Sequence, residues 1–506
     1  MRVKAAVGAA RARALDALLA RAAALELGDP FAASAWLARA DLGAHRPAGA
    51  KVPAAEDAAA LLAFWASRER GNPAGDMRYR WELSHARAPL PAFASDPERW
   101  QAWRPREQRA LSHEPCVFEA RFSVPVVVAD VCELLARVAE REGDDATTAA
   151  GLLAEAEPAF RRDLAQNVQA LQAWSDTFAL YCLAKRPRAL ARLRPIAVAL
   201  ASSYAALAHE SGRVLGSRFP FHEQPLVSAS AQLATGLLAL GLDVPLVARL
   251  LDFVVSSGRR AGGWADAGEP ADTMTTLVAA DLACRLDPAL EVDEVLTFVL
   301  SKQSSDGLFR AFGPDALWTT SMVIDLLDAL DQPFGDRFRW PHVAATDHKT
   351  GLPFYSYYSD LAELFATLPS LARTEIEVAF LDLAGFRAFN NRFGQDAGDD
   401  VLAELASALS SIEGTRTIRD GGDEMLIVGA PTAATLFERL DAFRRAWPRR
   451  FHARFGADVP PVAPRILVGR AHAGELVRLR ETLGRAIGGL KQVGETPPPE
   501  GVLARI

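Results

Sequence analysis

A 45-residue internal repeat between residues 210 and 335 restricts the fold of this chain more than any other feature. Aromatic residues recur twice at that interval, at Phe219, Trp264 and Phe309. Small, hydroxyl and apolar residues recur in step with them: Ser217, Gly262 and Gly307; Ser230, Thr275 and Thr320; Leu233, Val278 and Val323. A fixed period of this length predicts stacked supersecondary units, and helical patterns within each unit predict helix pairs.

The repeats resemble those of the α/α-toroid enzymes, the squalene cyclases and prenyltransferases. The resemblance rests on Gly262–Trp264 (Gly-Gly-Trp) and Asp306–Phe309 (Asp-Gly-Leu-Phe), each of which precedes a helical segment rich in Thr or Ser. It covers about residues 210–335, and looser helical patterns extend back to the first residues. It implies an N-terminal all-α domain of toroid-like helical repeats over residues 1–335.

The acidic motifs that such enzymes use for chemistry are missing from the helical region. No Asp-x-Asp-Asp motif of a class II terpene cyclase occurs, and Asp144 and Asp145 lack the spaced Asp of a class I prenyl site. Asp266 and Asp272 have no nearby Cys and His for a prenyltransferase zinc site. We therefore expect a regulatory domain that serves as a sensor, a dimerisation surface or a platform for a small ligand or protein partner. A lipid-binding toroid and a terpene-cyclase-like enzyme are the alternatives.

A second informative stretch is Arg419–Met425, which reads Arg-Asp-Gly-Gly-Asp-Glu-Met. A β-branched run precedes it and an apolar run follows it, so the pattern predicts a hairpin with Gly421 and Gly422 at the turn. Glycines let a phosphate approach the backbone closely. The carboxylates of Asp423 and Glu424 beside such a turn can hold a divalent cation that phosphates also bind. On its own, the tetrapeptide Gly421–Glu424 favours an ordinary hairpin with a solvated acidic edge.

The surrounding sequence favours a nucleotide site instead. Glu375–Asp382 is typical of a buried strand that ends in an acid, Phe386–Asn391 opens a helix, and Gly394–Asp400 leads into a periodic helix. Asp347–Pro353 lies upstream of all three. This ordered set, over about residues 345–506, resembles the GGDEF family of diguanylate cyclases. The resemblance implies an α/β palm-like domain that condenses two GTP molecules into cyclic di-GMP.

The resemblance also implies roles for individual residues. Asp382 and Asp423 match the metal-binding acids, and Asp423 and Glu424 are the candidate catalytic residues. The candidate substrate-binding residues are Gly421 and Gly422 at the turn, Asn390 and Asp399 at the guanine edge, and Arg387 and Lys491 as cations. Two carboxylates on adjacent strands can hold Mg²⁺ or Mn²⁺ against a triphosphate. The family further implies a homodimer, in which each 3′-hydroxyl attacks the partner's α-phosphate.

Several positions depart from the family pattern. They are Ala384 in place of an acid, Arg387 in place of a Lys, Gln395 in place of a His, Asp420 in place of an apolar residue, Met425 in place of a Phe, and Glu495 in place of an Arg. The inhibitory Arg-x-x-Asp motif, expected at residues 412–415, is absent. These changes leave open a degenerate GGDEF domain that binds a nucleotide and signals by conformation. Another cyclic dinucleotide product is a further alternative, although Asp399 favours guanine because a carboxylate suits its N–H donors.

Length and composition set the domain organisation and the compartment. A chain of 506 residues accommodates about two to four domains. We expect a helical domain over 1–335, a linker over 336–345 and a GGDEF domain over 346–506.

The net charge of −7 implies no general affinity for nucleic acid. The chain shows neither a signal-peptide pattern nor an apolar run of about 18 residues, so we expect a cytoplasmic protein without a membrane span. None of the four cysteines belongs to a Cys-x-x-Cys motif, so no zinc site or disulfide framework is indicated.

Overall fold

Part of the chain is described by the computed structural model. The described residues are 2–23, 115–140, parts of 146–161, 173–216, 224–257, 259 and 262–506 apart from 267–269, 312–315, 344, 432–434 and 493–496. The predictions for Ser217, Phe219, Asp144 and Asp145 lie outside these residues. Contacts divide the chain into two compact units, one of residues 1–237, 250–282 and 291–331, the other of residues 238–249, 283–290 and 332–506.

The chain up to residue 331 is helical over most of its described length. Its helices are α1 (Arg2–Ala23), α2 (Pro115–Ala139), α3 (Ala173–Ala184), α4 (Pro187–Arg192), α5 (Arg194–Ala208), α6 (Val227–Leu240), α7 (Val244–Ser256), α8 (Thr273–Leu286), α9 (Val292–Ser301) and α10 (Ala316–Asp331). Two short strands, β1 (Leu215–Gly216) and β2 (Gln224–Pro225), pair antiparallel. None of the helices in the described residues is both long enough and apolar enough to cross a membrane.

Repeated positions in this region make repeated contacts. The Thr276 hydroxyl accepts a hydrogen bond from the Trp264 N–H at 2.9 Å, and the Thr320 hydroxyl accepts one from the Phe309 N–H, also at 2.9 Å. The sequence pattern had aligned Thr275, but that hydroxyl donates to Asp272 at 2.7 Å instead. The hydroxyl that binds the N–H of the aromatic residue is therefore that of Thr276, one position after the aligned Thr275. Thr275 lies in the first turn of α8, where Asp272 binds it.

The glycines of the repeat are required by their conformation and their surroundings. Gly262 and Gly307 both have φ of +85°, a region that side chains avoid. A Cβ at Gly262 would lie 2.3 Å from the Glu294 carbonyl oxygen, and one at Gly307 would lie 2.9 Å from that of Arg13. The small residues of the repeat therefore allow the backbone to approach its neighbours.

The C-terminal region contains a small mixed sheet with helices on both faces. Its elements are α11 (Phe334–Arg337), α12 (Tyr355–Thr367), α13 (Pro369–Ala372), β3 (Glu375–Ala384), α14 (Phe386–Phe393), α15 (Gln395–Ser410), β4 (Thr415–Arg419), β5 (Glu424–Gly429), α16 (Leu436–Phe455), β6 (Ala463–His472), α17 (Leu476–Gln492) and β7 (Val502–Arg505). The strand order is β4-β5-β3-β6-β7. All neighbouring strands are antiparallel except β6 and β7. The predicted hairpin and the predicted buried strand are confirmed as β4–β5 and β3.

Strand β3 is central and is buried along nearly its whole length. Leu381 and Leu383 point into an apolar core that includes Trp447 and Phe451 of α16. Phe380 points to the opposite face, where its ring lies 3.6 Å from the place a Cβ would take on Gly484 of α17. Because both faces are covered, the strand is apolar at every position from Val378 to Ala384 except Asp382.

Candidate functional site

A row of three charged residues crosses the sheet near the C-terminal end of β3. Asp382 of β3 pairs in register with Glu424 of β5 on one side and with Arg465 of β6 on the other. Directly opposite residues on paired strands have Cβ atoms about 4.5–5.5 Å apart, so the two carboxylates are close neighbours. Asp382 is buried, and its Oδ2 lies 3.5 Å from Nη1 of Arg465. The sequence predicted the two acids but not the guanidinium beside them.

The turn that precedes Glu424 places the remaining signature residues next to this row. The N–H groups of Asp420 and Gly421 donate to the Glu424 carbonyl oxygen at 3.0 and 3.2 Å, which closes the turn. Asp423 immediately precedes Glu424 and is half-buried. The structure therefore brings Asp382, Asp423 and Glu424 to one end of the sheet.

The two glycines of the turn leave space beside the backbone, and neither is required by an unusual backbone conformation. Neither Gly421 nor Gly422 has a left-handed φ. A Cβ on Gly421 would lie 2.9 Å from Oε2 of Glu424, whereas a Cβ on Gly422 would meet no atom within 4 Å. Gly421 leaves room for the Glu424 carboxylate, and Gly422 presents open backbone to solvent.

Arg419 connects this turn to the upstream turn at residues 347–353. Its Nε donates to the Gly421 carbonyl at 3.1 Å, and its Nη2 donates to the Gly422 carbonyl at 2.9 Å. Its Nη1 donates to Oδ1 of Asp347 at 2.5 Å. Burial would raise the pKa of Asp347, but hydrogen bonds from Thr350 and Arg419 hold that pKa below its ordinary value. No role for Arg419 follows from the sequence, because its partners are revealed only by the fold.

Asp420, which departs from the family pattern, has a partner on the last helix. Oδ2 of Asp420 accepts a hydrogen bond from Nη2 of Arg480 at 2.6 Å, and the Asp420 side chain is 1% exposed. The Arg480 guanidinium lies over the ring of Tyr355, 5.1 Å from its centroid. This ion pair ties the signature turn to α17.

The candidate base-binding residues Asn390 and Asp399 are brought together by helices α14 and α15. Gly398 permits this approach, since a Cβ there would lie 1.8 Å from Oδ1 of Asn390. Within the described part of the chain, that Oδ1 is buried and has no hydrogen-bond partner. Oδ2 of Asp399 lies 2.5 Å from Nζ of Lys349, a contact that the sequence did not predict.

Of the two predicted cations, the structure describes the side chain of Arg387 but not that of Lys491. Arg387 lies in α14 and is exposed. Lys491 lies in the last turn of α17, but its side chain is outside the described residues, as is Glu495. The positions of these three residues relative to the acids remain predictions.

The donor set is of the kind that Mg²⁺ or Mn²⁺ prefers. Asp382, Asp423 and Glu424 supply hard carboxylate oxygens, and Mg²⁺ is commonly held by one or two carboxylates together with substrate phosphates. Among the residues that the structure describes, no group of three or more acids, His or Cys is arranged to hold a metal ion. The chemistry of these carboxylate donors thus suits Mg²⁺ or Mn²⁺, and Arg465 adds a fixed positive charge beside Asp382.

A cavity of about 330 Å³ adjoins the charged row on the β6 side. Its walls include Gly385 and Phe389, together with the guanidinium-bearing residues Arg392 and Arg465. Arg465, which lines the cavity, also contacts Asp382, whereas the acids themselves are not among the lining residues. The sequence did not predict this cavity, because its walls come from segments far apart in the chain.

The C-terminal region of the chain is similar in sequence to known proteins. Residues 344–473 match the family model described as "Diguanylate cyclase, GGDEF domain". Diguanylate cyclase DgcP of Escherichia coli (strain K12) is 39% identical over 88 residues, which are 16% of this chain and 25% of that protein. Response regulator PleD of Caulobacter vibrioides is 28% identical over 167 residues, 32% of each protein. This chain thus spans about a quarter to a third of the length of these curated relatives.

Among solved structures, the GGDEF domain of DgcB from Caulobacter crescentus in complex with c-di-GMP is similar at 22% identity. The alignment covers 32% of this chain and 94% of that one, with a TM-score of 0.28. The FimX GGDEF domain from Pseudomonas aeruginosa is similar at 17% identity, with coverage of 32% and 100% and a TM-score of 0.27. From the family match and the placement of the signature turn, we conclude that residues 344–473 of this helix-rich chain are a GGDEF domain of the diguanylate cyclase family.

Proposed function

We propose that this protein is a diguanylate cyclase, a nucleotidyltransferase that condenses two GTP molecules into cyclic di-GMP. The observation that carries the proposal is the register of Asp382 with Glu424, directly beside the turn that contains Asp423. This register supports a site in which the carboxylates of Asp382 and Glu424 lie beside an open glycine backbone that could receive a triphosphate. The family match over residues 344–473 supports this interpretation.

In this proposal the chain's own residues bind and orient the nucleotide. Asn390 and Asp399 bind the guanine edge, the backbone at Gly422 faces the phosphates, and Arg387 and Lys491 donate to phosphate oxygens. Mg²⁺ or Mn²⁺ held by Asp382 and Asp423 would neutralise charge on the phosphates and lower the pKa of the attacking hydroxyl.

The proposed reaction needs two copies of the chain. Each GGDEF domain holds one GTP, so the two 3′-hydroxyls can attack only when two domains face each other. A homodimer is therefore the proposed active form, and a monomer is expected to be nearly inactive. Control of dimerisation would give the helical region a direct influence on the rate.

The pairing of Asp382 with Arg465 favours a second candidate function, a degenerate GGDEF domain that binds a nucleotide and signals by conformation. A guanidinium remains charged at all physiological pH values. Such a charge 3.5 Å from a candidate metal ligand opposes cation binding and can itself attract a phosphate. Ala384 and Glu495, where the family has an acid and an Arg, point in the same direction.

For the helical region we propose a toroid-like regulatory domain over residues 1–335, joined through 336–345 to the GGDEF domain over 346–506. The matching hydrogen bonds of Thr276 and Thr320 and the matching φ values of Gly262 and Gly307 support a true structural repeat. Its proposed role is to sense a small ligand or a protein partner. Turnover of a prenyl diphosphate would instead indicate a terpene-cyclase-like enzyme.

The test is incubation of the full-length protein with Mg²⁺ and GTP, ATP or both, with products identified by chromatography and mass. Cyclic di-GMP from GTP alone supports the proposal, whereas a product that requires ATP indicates another cyclic dinucleotide. If no product forms, calorimetric titration with GTP decides between the two candidate functions. Tight binding without turnover supports the signalling module, and no binding at all contradicts both.

A further inference from the structure

Lys349 lies in a turn that is fixed against the signature hairpin. Its backbone N–H donates to Oδ1 of Asp347 at 3.2 Å, and the N–H of Thr350 donates to the same oxygen at 2.9 Å. Asp347 in turn forms an ion pair with Arg419, which holds the carbonyls of the glycine turn. The backbone from which the Lys349 side chain extends is therefore held in place relative to the candidate nucleotide site.

The side chain of Lys349 reaches the acid that is expected to bind the base. Its Nζ lies 2.5 Å from Oδ2 of Asp399, and the two side chains are 41% and 31% exposed. An ion pair this exposed contributes little to stability. The ammonium also keeps donors free, because it has three N–H groups and Asp399 accepts one of them.

A buried acceptor without a partner lies beside this pair. Oδ1 of Asn390 is buried and unpaired within the described residues, and it lies against Gly398, the residue before Asp399. Buried polar atoms are nearly always hydrogen-bonded in folded proteins, so this acceptor marks the corner between α14 and α15 as one whose polar groups are not fully paired within the described residues.

We infer that Lys349 is a specificity-determining residue that reads the base together with Asp399 and Asn390; this rests on the proposed function. Guanine presents an acceptor, O6, next to the N–H donors that a carboxylate accepts. Lys349 donates to O6 while Asp399 accepts from the base N–H groups. Adenine carries an amino donor where guanine carries O6, so an ammonium at that position repels it. The lysine thereby selects guanine.

The inference is tested with Mg²⁺ and 3′-deoxy nucleoside triphosphates, which lack the attacking hydroxyl and so cannot condense. Three bases are compared by calorimetric titration: guanine; hypoxanthine, which keeps O6 but lacks the 2-amino group; and 2-aminopurine, which keeps the amino group but lacks O6. Lys349→Met is expected to lower the affinity for the guanine and hypoxanthine nucleotides by about ten- to hundredfold. Affinity for the 2-aminopurine nucleotide should be unchanged.

Two further variants complete the experiment. Lys349→Arg retains donors and should keep most of the preference for O6. Lys302→Met removes an exposed lysine from the helical region and should change none of the affinities. Equal losses for all three bases, or no loss for any, would overturn the inference while leaving GTP binding by the wild-type protein intact. A wild-type protein that binds no guanine nucleotide would contradict the proposed function itself, and the inference with it.

Discussion

Asp420 of the signature turn and Arg480 of α17 form an ion pair, with Nη2 of Arg480 2.6 Å from Oδ2 of Asp420. The Asp420 side chain is 1% exposed, so Arg480 supplies the partner that a buried carboxylate requires. An acid at a position where the family has an apolar residue is thereby accommodated, and the turn is tied to the last helix.

We predict that Arg480→Met destabilises the protein by about 1–3 kcal/mol, because it leaves the Asp420 carboxylate buried without its donor. The double variant Asp420→Leu/Arg480→Met should recover much of that loss, since two apolar side chains leave no unpaired charge. Urea unfolding of both variants and the wild-type protein measures the difference. A double variant no more stable than Arg480→Met would show that the pair is not the cause.

The two glycines of the turn provide a matched pair of variants. Gly422→Ala meets no neighbouring atom, so its unfolding free energy should change by less than about 1 kcal/mol, while affinity for GTP should fall because the new methyl group faces the phosphates. Gly421→Ala places a methyl group 2.9 Å from the Glu424 carboxylate and should displace that acid. Calorimetric titration with GTP, alongside thermal unfolding, distinguishes the two effects. Unchanged GTP affinity in Gly422→Ala would contradict the placement of phosphates at this turn.

Arg465 opposes metal binding in our account, and its removal should expose that effect. Arg465→Met leaves Asp382 buried without a guanidinium, so without divalent cation we expect a loss of about 1–3 kcal/mol in stability. Addition of Mg²⁺ should raise the melting temperature of the variant more than that of the wild-type protein. Arg465→Lys, which keeps the charge, serves as the control. Equal responses to Mg²⁺ in all three proteins would argue against a metal at Asp382.

The hydrogen bonds to Asp347 predict an acid-dependent contribution to stability. The folded pKa of this carboxyl is lower than its unfolded pKa of about 3.9. Its contribution is therefore present above the unfolded pKa and is lost as the pH falls through the folded pKa. Urea unfolding from pH 6 to about pH 3 should give a smaller loss of stability in Asp347→Asn than in the wild-type protein. Parallel pH profiles would show that the shift is absent.

The local elements could be predicted from sequence, whereas the contacts between distant segments could not. The hairpin and β3 follow from turn glycines, apolar runs and β-branched residues, all of which are local signals. The pairing of Asp382 with Arg465 depends on β6 lying beside β3, which no local pattern specifies. The repeat was visible as a period, but aligned spacing does not determine side-chain partners: Thr275 aligns with Thr320, whereas Thr276 makes the matching hydrogen bond.

The candidate site shows the same difference between local sequence signals and contacts between distant segments. Its acids and glycines lie in one short stretch and carry a recognisable spacing. The Lys349–Asp399 and Asp420–Arg480 pairs join separate elements, so sequence could suggest the individual charges but not their partners.

In the proposed reaction, the carboxylate of Glu424 supports condensation of GTP. The most direct test of this role is the rate of cyclic di-GMP formation by the full-length protein with GTP and Mg²⁺, compared with Glu424→Gln and with Glu438→Gln, an exposed acid on α16. We predict that the wild-type protein and Glu438→Gln form product at similar rates. The rate should fall by at least about a hundredfold in Glu424→Gln, since a group that stabilises transition-state charge typically contributes that much. Wild-type rates from Glu424→Gln, in a protein of unchanged melting temperature, would contradict this role.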